Sequence, residues 1–412
     1  MRDVFVGPSH LKGTVTPPPS KSIAHRALIL AALAKGNPSG MAAVQSIRRE
    51  TSQDMAATID CLQALLSPAN EPAELNCSES GSTLRFLVPV AAALGREAVF
   101  SGTGRLAERP LDEYIGILTG KGVTLDFAAA GHSLPLTVRG KLQSGEFHVP
   151  GHISSQYITG LMLALPLLDE DSAIYLTSPL QSAPYVEITQ SVLAQFGAKV
   201  KTLYAESGSV TGWSVPGNQR YRIPSSGIKV EADYSQAAFW LVAQFLGQQV
   251  EVSGLNPNSV QGDRAIIQLL AGLSARENGE NREINAEQIP DLVPALAVAA
   301  CHVPGRTVIG NAKRLRLKES DRLQAIADGL SHIGATITAG ADCLVIEGGV
   351  PLLGGGAEAH NDHRIAMALA IAALGTQKGV HIRGANAVNK SYPNFFAELK
   401  RLGGDVHGLD MG

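Results

Sequence analysis

The sequence predicts an α/β protein made of two domains, each holding three similar units. Three observations predict it. A polar, often hydroxyl-bearing start followed by an Ala/Leu-rich helix recurs six times. A second, amphipathic helix ending near Gly accompanies most of these. Short strand-like runs lie around both.

The six apolar helices are read at 22–36, 82–95, 154–168, 235–247, 291–301 and 362–375. Their starts lie roughly 55 to 80 residues apart, a long-period repeat. A helix apolar all round must be buried all round, so these should form the cores. Amphipathic partners are read at 111–122, 186–197, 264–273, 321–334 and 394–403, and strands at 198–201 and 343–346. Residues 354–356 read as a short glycine loop.

Composition narrows the class. With 412 residues, 45% apolar and 17% charged, large cores are available. A net charge of −3 gives no reason to expect nucleic acid. The four cysteines, Cys61, Cys77, Cys301 and Cys343, form no CxxC pair, which points to a reducing compartment rather than a disulfide frame or zinc site. No apolar run is long enough to span a bilayer, and the N-terminus lacks a signal-peptide core. A cytoplasmic protein is expected.

The stretch from Lys313 to Arg322 carries the strongest chemical signal. Arg314, Arg316 and Lys318 alternate, so a strand would aim them to one face. Ser320 is the expected cap of a helix that continues through Leu323, Ile326, Leu330 and Ile333. Glu319, Asp321 and Arg322 fall at the junction. Cations beside a helix mouth suit a multiply charged anion, with a carboxylate at hand for proton transfer. A salt-bridged surface turn is an equal alternative.

Polar residues gather at the other helix starts as well. Lys21 and Ser22, with His25 and Arg26, follow a Pro-rich entry and suit phosphate or carboxylate, or a plain cap. Gly81, between Ser80 and Ser82, permits close ligand approach or simply a turn, with Arg85 following. Ser154, Ser155 and Gln156 offer hydrogen bonds in a first turn; Arg109, Ser182 and Tyr185 are weaker signals. Asp291 reads as a base toward a hydroxyl or as an N-cap. Asn361-Asp362-His363-Arg364 mixes a helix cap with a cation, and Arg364 and Lys390 read as ligands or as structural residues. If the repeats are symmetric, these positive helix ends face one cleft. No HExxH, Walker or GxGxxG pattern appears, so neither a metal nor a nucleotide cofactor is expected.

In order, Pro18-Pro19-Ser20-Lys21-Ser22 with Arg26, Glu108-Arg109-Pro110, Ser154-Ser155-Gln156, Ile289-Pro290-Asp291, Lys318-Glu319-Ser320-Asp321-Arg322, Asn361-Asp362-His363-Arg364 and Lys390 resemble the 5-enolpyruvylshikimate-3-phosphate synthase family over nearly the whole chain. The resemblance implies a two-domain inside-out α/β barrel, with three βαβαββ repeats per domain around buried helices. The domains are expected at 20–231 and at 1–19 plus 232–412, hinged near 17–20 and 231–233 and compacting on binding shikimate 3-phosphate. The implied reaction moves the enolpyruvyl group of phosphoenolpyruvate to the 5-hydroxyl of shikimate 3-phosphate and releases phosphate. Neither cofactor nor metal is implied, and a monomer is expected.

By the same resemblance, Lys21, Ser22, Arg26, Ser154, Ser155, Gln156, Ser182, Asp291 and Lys318 would hold shikimate 3-phosphate. Lys21, Gly81, Arg109, Gln156, Arg322, Arg364 and Lys390 would hold phosphoenolpyruvate. Asp291 would take the hydroxyl proton, and Glu319, with Lys21 sharing the role, would protonate the methylene carbon. Three positions depart from the family: Glu79-Ser80-Gly81-Ser82 stands where Asn-Ala-Gly-Thr is common, Phe86 where Pro is frequent, and Ser52-Gln53-Asp54 in place of a more acidic stretch. They bear on the phosphoenolpyruvate loop and on glyphosate sensitivity. Two alternatives stand beside this reading. A UDP-N-acetylglucosamine enolpyruvyl transferase would rely on a reactive loop Cys. A non-catalytic polyanion or RNA binder would need a more basic, aromatic surface.

Overall fold

The computed structural model describes residues 3–34, 52–68, 71–128, 133–274 and 281–408. Its contacts divide the chain into two compact units, Lys21–Val230 and Met1–Ser20 with Glu231–Gly412.

All six apolar stretches are helices. They are α1 Lys21–Leu33, α3 Gly81–Ala93, α5 Ser155–Ala164, α7 Tyr234–Phe245, α9 Val293–His302 and α11 His363–Ala373. Every residue of α11 is buried, as the absence of a polar face requires. The expected end of the first helix at Gly36 lies outside the described residues. The partner helices are α2 Gln53–Leu65, α4 Glu113–Leu118, α6 Ala183–Gln195, α8 Ile266–Ser274, α10 Arg322–His332 and α12 Phe395–Arg401.

Four sheets share one topology, a parallel pair extended by two antiparallel strands. In Lys21–Val230 they order Ala73–Asn76, Ala98–Ser101, Leu136–Gly140, Val123–Phe127, and Glu146–Pro150, Ser172–Ser178, Val210–Val215, Lys201–Tyr204. In the other unit they order Arg282–Asn285, Gly305–Gly310, Leu344–Gly348, Thr336–Ala339, and Gly355–Glu358, Val380–Arg383, Val4–Val6, Val406–His407. Near α7, among the described residues, a parallel pair forms, Lys12–Val15 with Gln249–Val252. Within each unit the apolar helices and the inner faces of the strands form one apolar core of their own.

The centre of the first core shows how a sequence conflict is resolved. Pro89 sits inside α3 and has no N–H, so the Arg85 carbonyl four residues earlier loses its helical partner. The buried Tyr114 hydroxyl donates to that carbonyl instead. Gly160 of α5 permits the approach: a Cβ there would lie 2.4 Å from the Arg85 oxygen and 2.6 Å from the Tyr114 hydroxyl.

Local expectations need five corrections. Residues 313–318 form no strand; Lys313–Leu317 is a 3-10 turn that buries only Leu315. The Ala312 and Lys313 N–H groups donate to Asp342, which curls the chain. Ser320 is not the cap of α10; Asp321 is, accepting from the Gln324 N–H at 3.1 Å. The strand expected at 198–201 starts at Lys201, because the Ala198 and Lys199 N–H groups are spent on Leu193 O and Gln219 Oε1. Gly355 and Gly356 begin a strand rather than a loop; a Cβ at Gly354 would lie 2.3 Å from the Gly379 oxygen. Finally, α2 was not anticipated, although Met55, Ile59, Leu62 and Leu65 keep helical spacing and are buried.

Candidate active site

In the unit Lys21–Val230 the helix starts are tied to one another by side chains. Lys21 opens α1, and its Nζ lies 2.8 Å from Asp54 Oδ2 in the first turn of α2. Below them His25 Nδ1, Thr58, Thr83 and Ser80 form a buried chain of hydrogen bonds joining α1, α2 and α3. Burial first, then the charges of Lys21 and Arg26, hold His25 well below the usual imidazole range, so it is a neutral link.

The start of α3 meets the start of α5. Gln156 accepts from Arg85 Nη1 at 2.9 Å and donates to Ser82 Oγ at 3.0 Å. Ser154 caps α5 by accepting from the Gln156 N–H at 3.3 Å. The Arg109 guanidinium lies over Gly81, where an added Cβ would sit 2.6 Å from Nη1. Gly81 and Arg109 are thus brought together although 28 residues apart in sequence. Ser155 is in the first turn of α5, and Ser182 precedes α6 in the left-handed region, with φ of 56°. A non-glycine residue held there is strained, which is common where side-chain direction matters.

Arg26 is turned inward. Its Nε donates to Thr189 Oγ1 at 2.7 Å, Nη1 to Ser22 O, and Nη2 to Thr159 Oγ1 and Tyr185 O. Burial pulls its guanidinium down to about 9. It binds α1, α5 and α6 to each other, while Ser22 stays in the first turn of α1. Glu79 lines a recess of about 510 Å³ together with Asp54, Asp60 and Glu74. Its carboxylate packs on Gly104, where a Cβ would be 2.6 Å from Oε2.

The second unit gathers ions rather than neutral donors. Asp291 stands in the 3-10 turn Pro290–Leu292, just before α9. Its Oδ1 lies 2.9 Å from Arg322 Nη1 and 3.5 Å from Lys318 Nζ, and its Oδ2 lies 3.1 Å from Arg364 Nη2. Arg322, 1% exposed, also donates from Nη2 to Glu319 at 2.6 Å and from Nε to Asp362 at 2.9 Å. Burial works against its charge, but Asp362, Glu319 and Asp291 outweigh it, so the guanidinium is held well above its usual range. Arg364 Nη2 also donates to Ser235 Oγ at 2.9 Å, which brings in the start of α7. Lys390 is buried, and its Nζ donates to Asn361 O at 2.6 Å.

The three cations read on one strand face do not act together. Arg314 reaches Glu287 O, Arg316 pairs with Asp321 at 2.6 Å, and Lys318 turns to Asp291. Several members of these clusters were not singled out as site residues: Asp54, Arg85, Ser235, Ser320 and Asp362. Ser320 Oγ donates to Asp362 at 3.1 Å. Asp362 was visible only as a helix cap, the role it also keeps toward the Arg364 N–H.

No cysteine suits a loop nucleophile. Cys61 and Cys301 are buried in helices, Cys77 is buried after a strand, and Cys343 precedes one. A hydrogen bond with Cys61, then burial, raises the Cys77 thiol, and burial raises Cys301 to about 12. Among the described residues, no group of three or more His, Cys, Asp or Glu side chains is placed to hold a metal ion. No described helix is long and apolar enough to cross a membrane.

A family model described as EPSP synthase (3-phosphoshikimate 1-carboxyvinyltransferase) matches residues 6–399. The 3-phosphoshikimate 1-carboxyvinyltransferase of Clostridium acetobutylicum is 41% identical, with all of both chains covered. That of Clostridium novyi is 40% identical, again over the full length of both. Among solved structures, EPSP synthase from Acinetobacter baumannii aligns with a TM-score of 0.75 at 25% identity, covering 99% of this chain and 100% of that one. The enolpyruvyl transferase NikO from Streptomyces tendae shares the fold, with a TM-score of 0.73 at 16% identity and 99% of each chain covered.

Proposed function

The chain belongs to the EPSP synthase family, and from that premise we propose how its residues share the reaction. The protein transfers the enolpyruvyl group of phosphoenolpyruvate to shikimate 3-phosphate, a step of the shikimate pathway to aromatic amino acids. The acceptor is the 5-hydroxyl. Residues 20–231 form the domain that handles shikimate 3-phosphate; 1–19 with 232–412 supply the catalytic carboxylates and most of the phosphoenolpyruvate ligands.

The observation that carries this division is the Arg322 cluster, where one buried guanidinium is shared by Asp291, Glu319 and Asp362. An incoming carboxylate or phosphate competes for Arg322 and Arg364. That competition frees Asp291 to accept the hydroxyl proton and lets Glu319 carry a proton to the methylene carbon. A tetrahedral intermediate forms. Loss of a proton from the former methylene carbon then expels phosphate. Lys390 and Arg364 complete the phosphoenolpyruvate cations, and Arg109, held over Gly81, serves the same substrate from the first domain. Lys21 serves both substrates and shares the acid role; Ser22, Ser154, Ser155, Gln156, Ser182 and Lys318 take the shikimate phosphate and hydroxyls. Arg26, spent on protein acceptors, adds positive charge behind Ser22.

The same reading makes the protein a cytoplasmic monomer that needs neither metal nor cofactor. A coupled phosphate-release assay with both substrates tests it. Asp291→Asn and Glu319→Gln should each lower kcat by about 10²–10⁴-fold while keeping shikimate 3-phosphate binding. Full turnover in both variants would sink the assignment of the two carboxylates.

A further inference from the structure

Arginine has a long, rotatable side chain, so the place of its guanidinium depends on where its backbone is held. The Arg109 guanidinium lies face-on over Gly81: a Cβ there would be 2.6 Å from Nη1, 2.8 Å from Cζ and 2.9 Å from Nη2. A guanidinium lying flat aims its N–H groups sideways, in its own plane, instead of into the loop beneath. What holds the root of this side chain therefore bears on the phosphoenolpyruvate ligands.

The segment is gripped from two directions. Pro110 O accepts from Arg85 Nη2 and from the Tyr157 hydroxyl, both at 2.7 Å. Arg85 belongs to α3 and Tyr157 to α5, so this grip comes from the core helices. The other grip comes from Ser133, in the loop before the strand Leu136–Gly140. Its N–H donates to Ala107 O at 2.9 Å, and its hydroxyl donates to Arg109 O at 2.8 Å. Ser133 is 8% exposed, so water offers that carbonyl little in exchange. Gly102 is wedged into the same stack: a Cβ there would lie 2.7 Å from Leu106, 2.9 Å from Ser78 O and 3.0 Å from Leu134. The Thr103 N–H donates to Ser78 O at 2.7 Å, which ties the stack to the loop leading to Gly81. No motif read from the sequence includes Ser133.

We propose that Ser133 is a positioning residue for phosphoenolpyruvate: its hydroxyl fixes the Arg109 carbonyl and so sets the guanidinium in its place over Gly81. The proposal rests on Arg109 being a phosphoenolpyruvate ligand. Arg109 is extended, with φ of −77° and ψ of 133°. Pro110 confines its neighbour to that region but leaves a broad well in ψ. The φ of Pro110 is itself locked by its ring, so the plane of the Arg109 carbonyl turns with the ψ of Arg109. The hydroxyl bond selects one ψ within the well. Without it, Pro110 stays pinned by Arg85 and Tyr157 while the residue before it can turn, and the turn is magnified at the far end of the side chain. Ser133 itself touches no substrate and moves no proton.

The test is steady-state kinetics with both substrates on Ser133→Ala, Arg109→Ala and the two combined. Ser133→Ala should raise KM for phosphoenolpyruvate about fivefold, the factor one net hydrogen bond is worth. Its kcat and its KM for shikimate 3-phosphate should stay at wild-type values. In the Arg109→Ala background Ser133→Ala should add nothing, because the guanidinium it places is gone. A KM for phosphoenolpyruvate within about twofold of wild type in Ser133→Ala overturns the proposal. So does an equal rise in KM for shikimate 3-phosphate, or the same rise from Ser133→Ala with Arg109 already removed. Should Ser133→Ala not fold, Ser133→Cys, of similar shape but a weaker donor, is read by the same criteria. A wild-type KM for phosphoenolpyruvate in Arg109→Ala would instead remove Arg109 as a ligand, and the role of Ser133 with it.

Discussion

The two units solve the same structural problem with different chemistry. Each collects the starts of its buried helices and must satisfy their free N–H groups. In Lys21–Val230 the links are mostly neutral: Thr58 to Thr83, Gln156 to Ser82, Ser154 to its own helix. The cations Arg85 and Arg109 lie against a side-chain amide and a glycine. In the other unit the links are ionic, with Asp291, Glu319 and Asp362 sharing Arg322. Neutral donors hold an anion without competing for it. Carboxylates compete, and for that reason they can exchange protons when an anion displaces them. The first pattern suits holding and the second suits chemistry.

Breaking the ionic side should have the largest effect. Arg322→Met leaves three carboxylates without their common cation, so we expect a loss of about 3–5 kcal/mol in stability, measured by urea unfolding. A loss below 1 kcal/mol would mean that the cluster reorganises freely and that the contrast is overstated. On the neutral side, Gly81→Ala pushes Arg109 off its seat. KM for phosphoenolpyruvate should rise about tenfold with little change in kcat; a kcat effect alone would place Arg109 in the chemistry instead. The smallest effect should come from beneath the site. Tyr114→Phe removes the donor that replaces the missing Pro89 N–H and should cost about 1–2 kcal/mol in stability, with turnover at saturating substrate unaffected.

The pH dependence of stability sharpens the same contrast. Asp263, held up to about 7 by burial and then by the Asp291 charge, binds its proton more tightly folded than unfolded. Its stabilisation is present at acid pH and lost as pH rises through about 7, so the melting temperature should decline across that window. The neutral linker His25, held well below its usual range, works the other way and loses stability as pH falls through the ordinary His range.

The buried helices were legible because a run such as 362–375 leaves no polar face for water, whatever its surroundings. Their polar starts were legible because helix N-termini require caps. What was hidden depends on partners distant in sequence. The 313–318 segment looked like a strand because its cations alternate, yet the Asp342 backbone and side chain fold it into a 3-10 turn. Asp362 looked like a simple cap, since its bond to Arg322 spans 40 residues. The Asp54 partnership with Lys21 and the seat of Arg109 on Gly81 likewise leave no local pattern.

The pairing of Val4–Val6 with both Val380–Arg383 and Val406–His407 has a consequence for synthesis. The segment 21–230 is continuous and can collapse as it leaves the ribosome. Val4–Val6, by contrast, must wait for strands about 400 residues later before its sheet can close. Until residues 380–407 have been made, that strand is an unsatisfied edge, open to pairing with another chain.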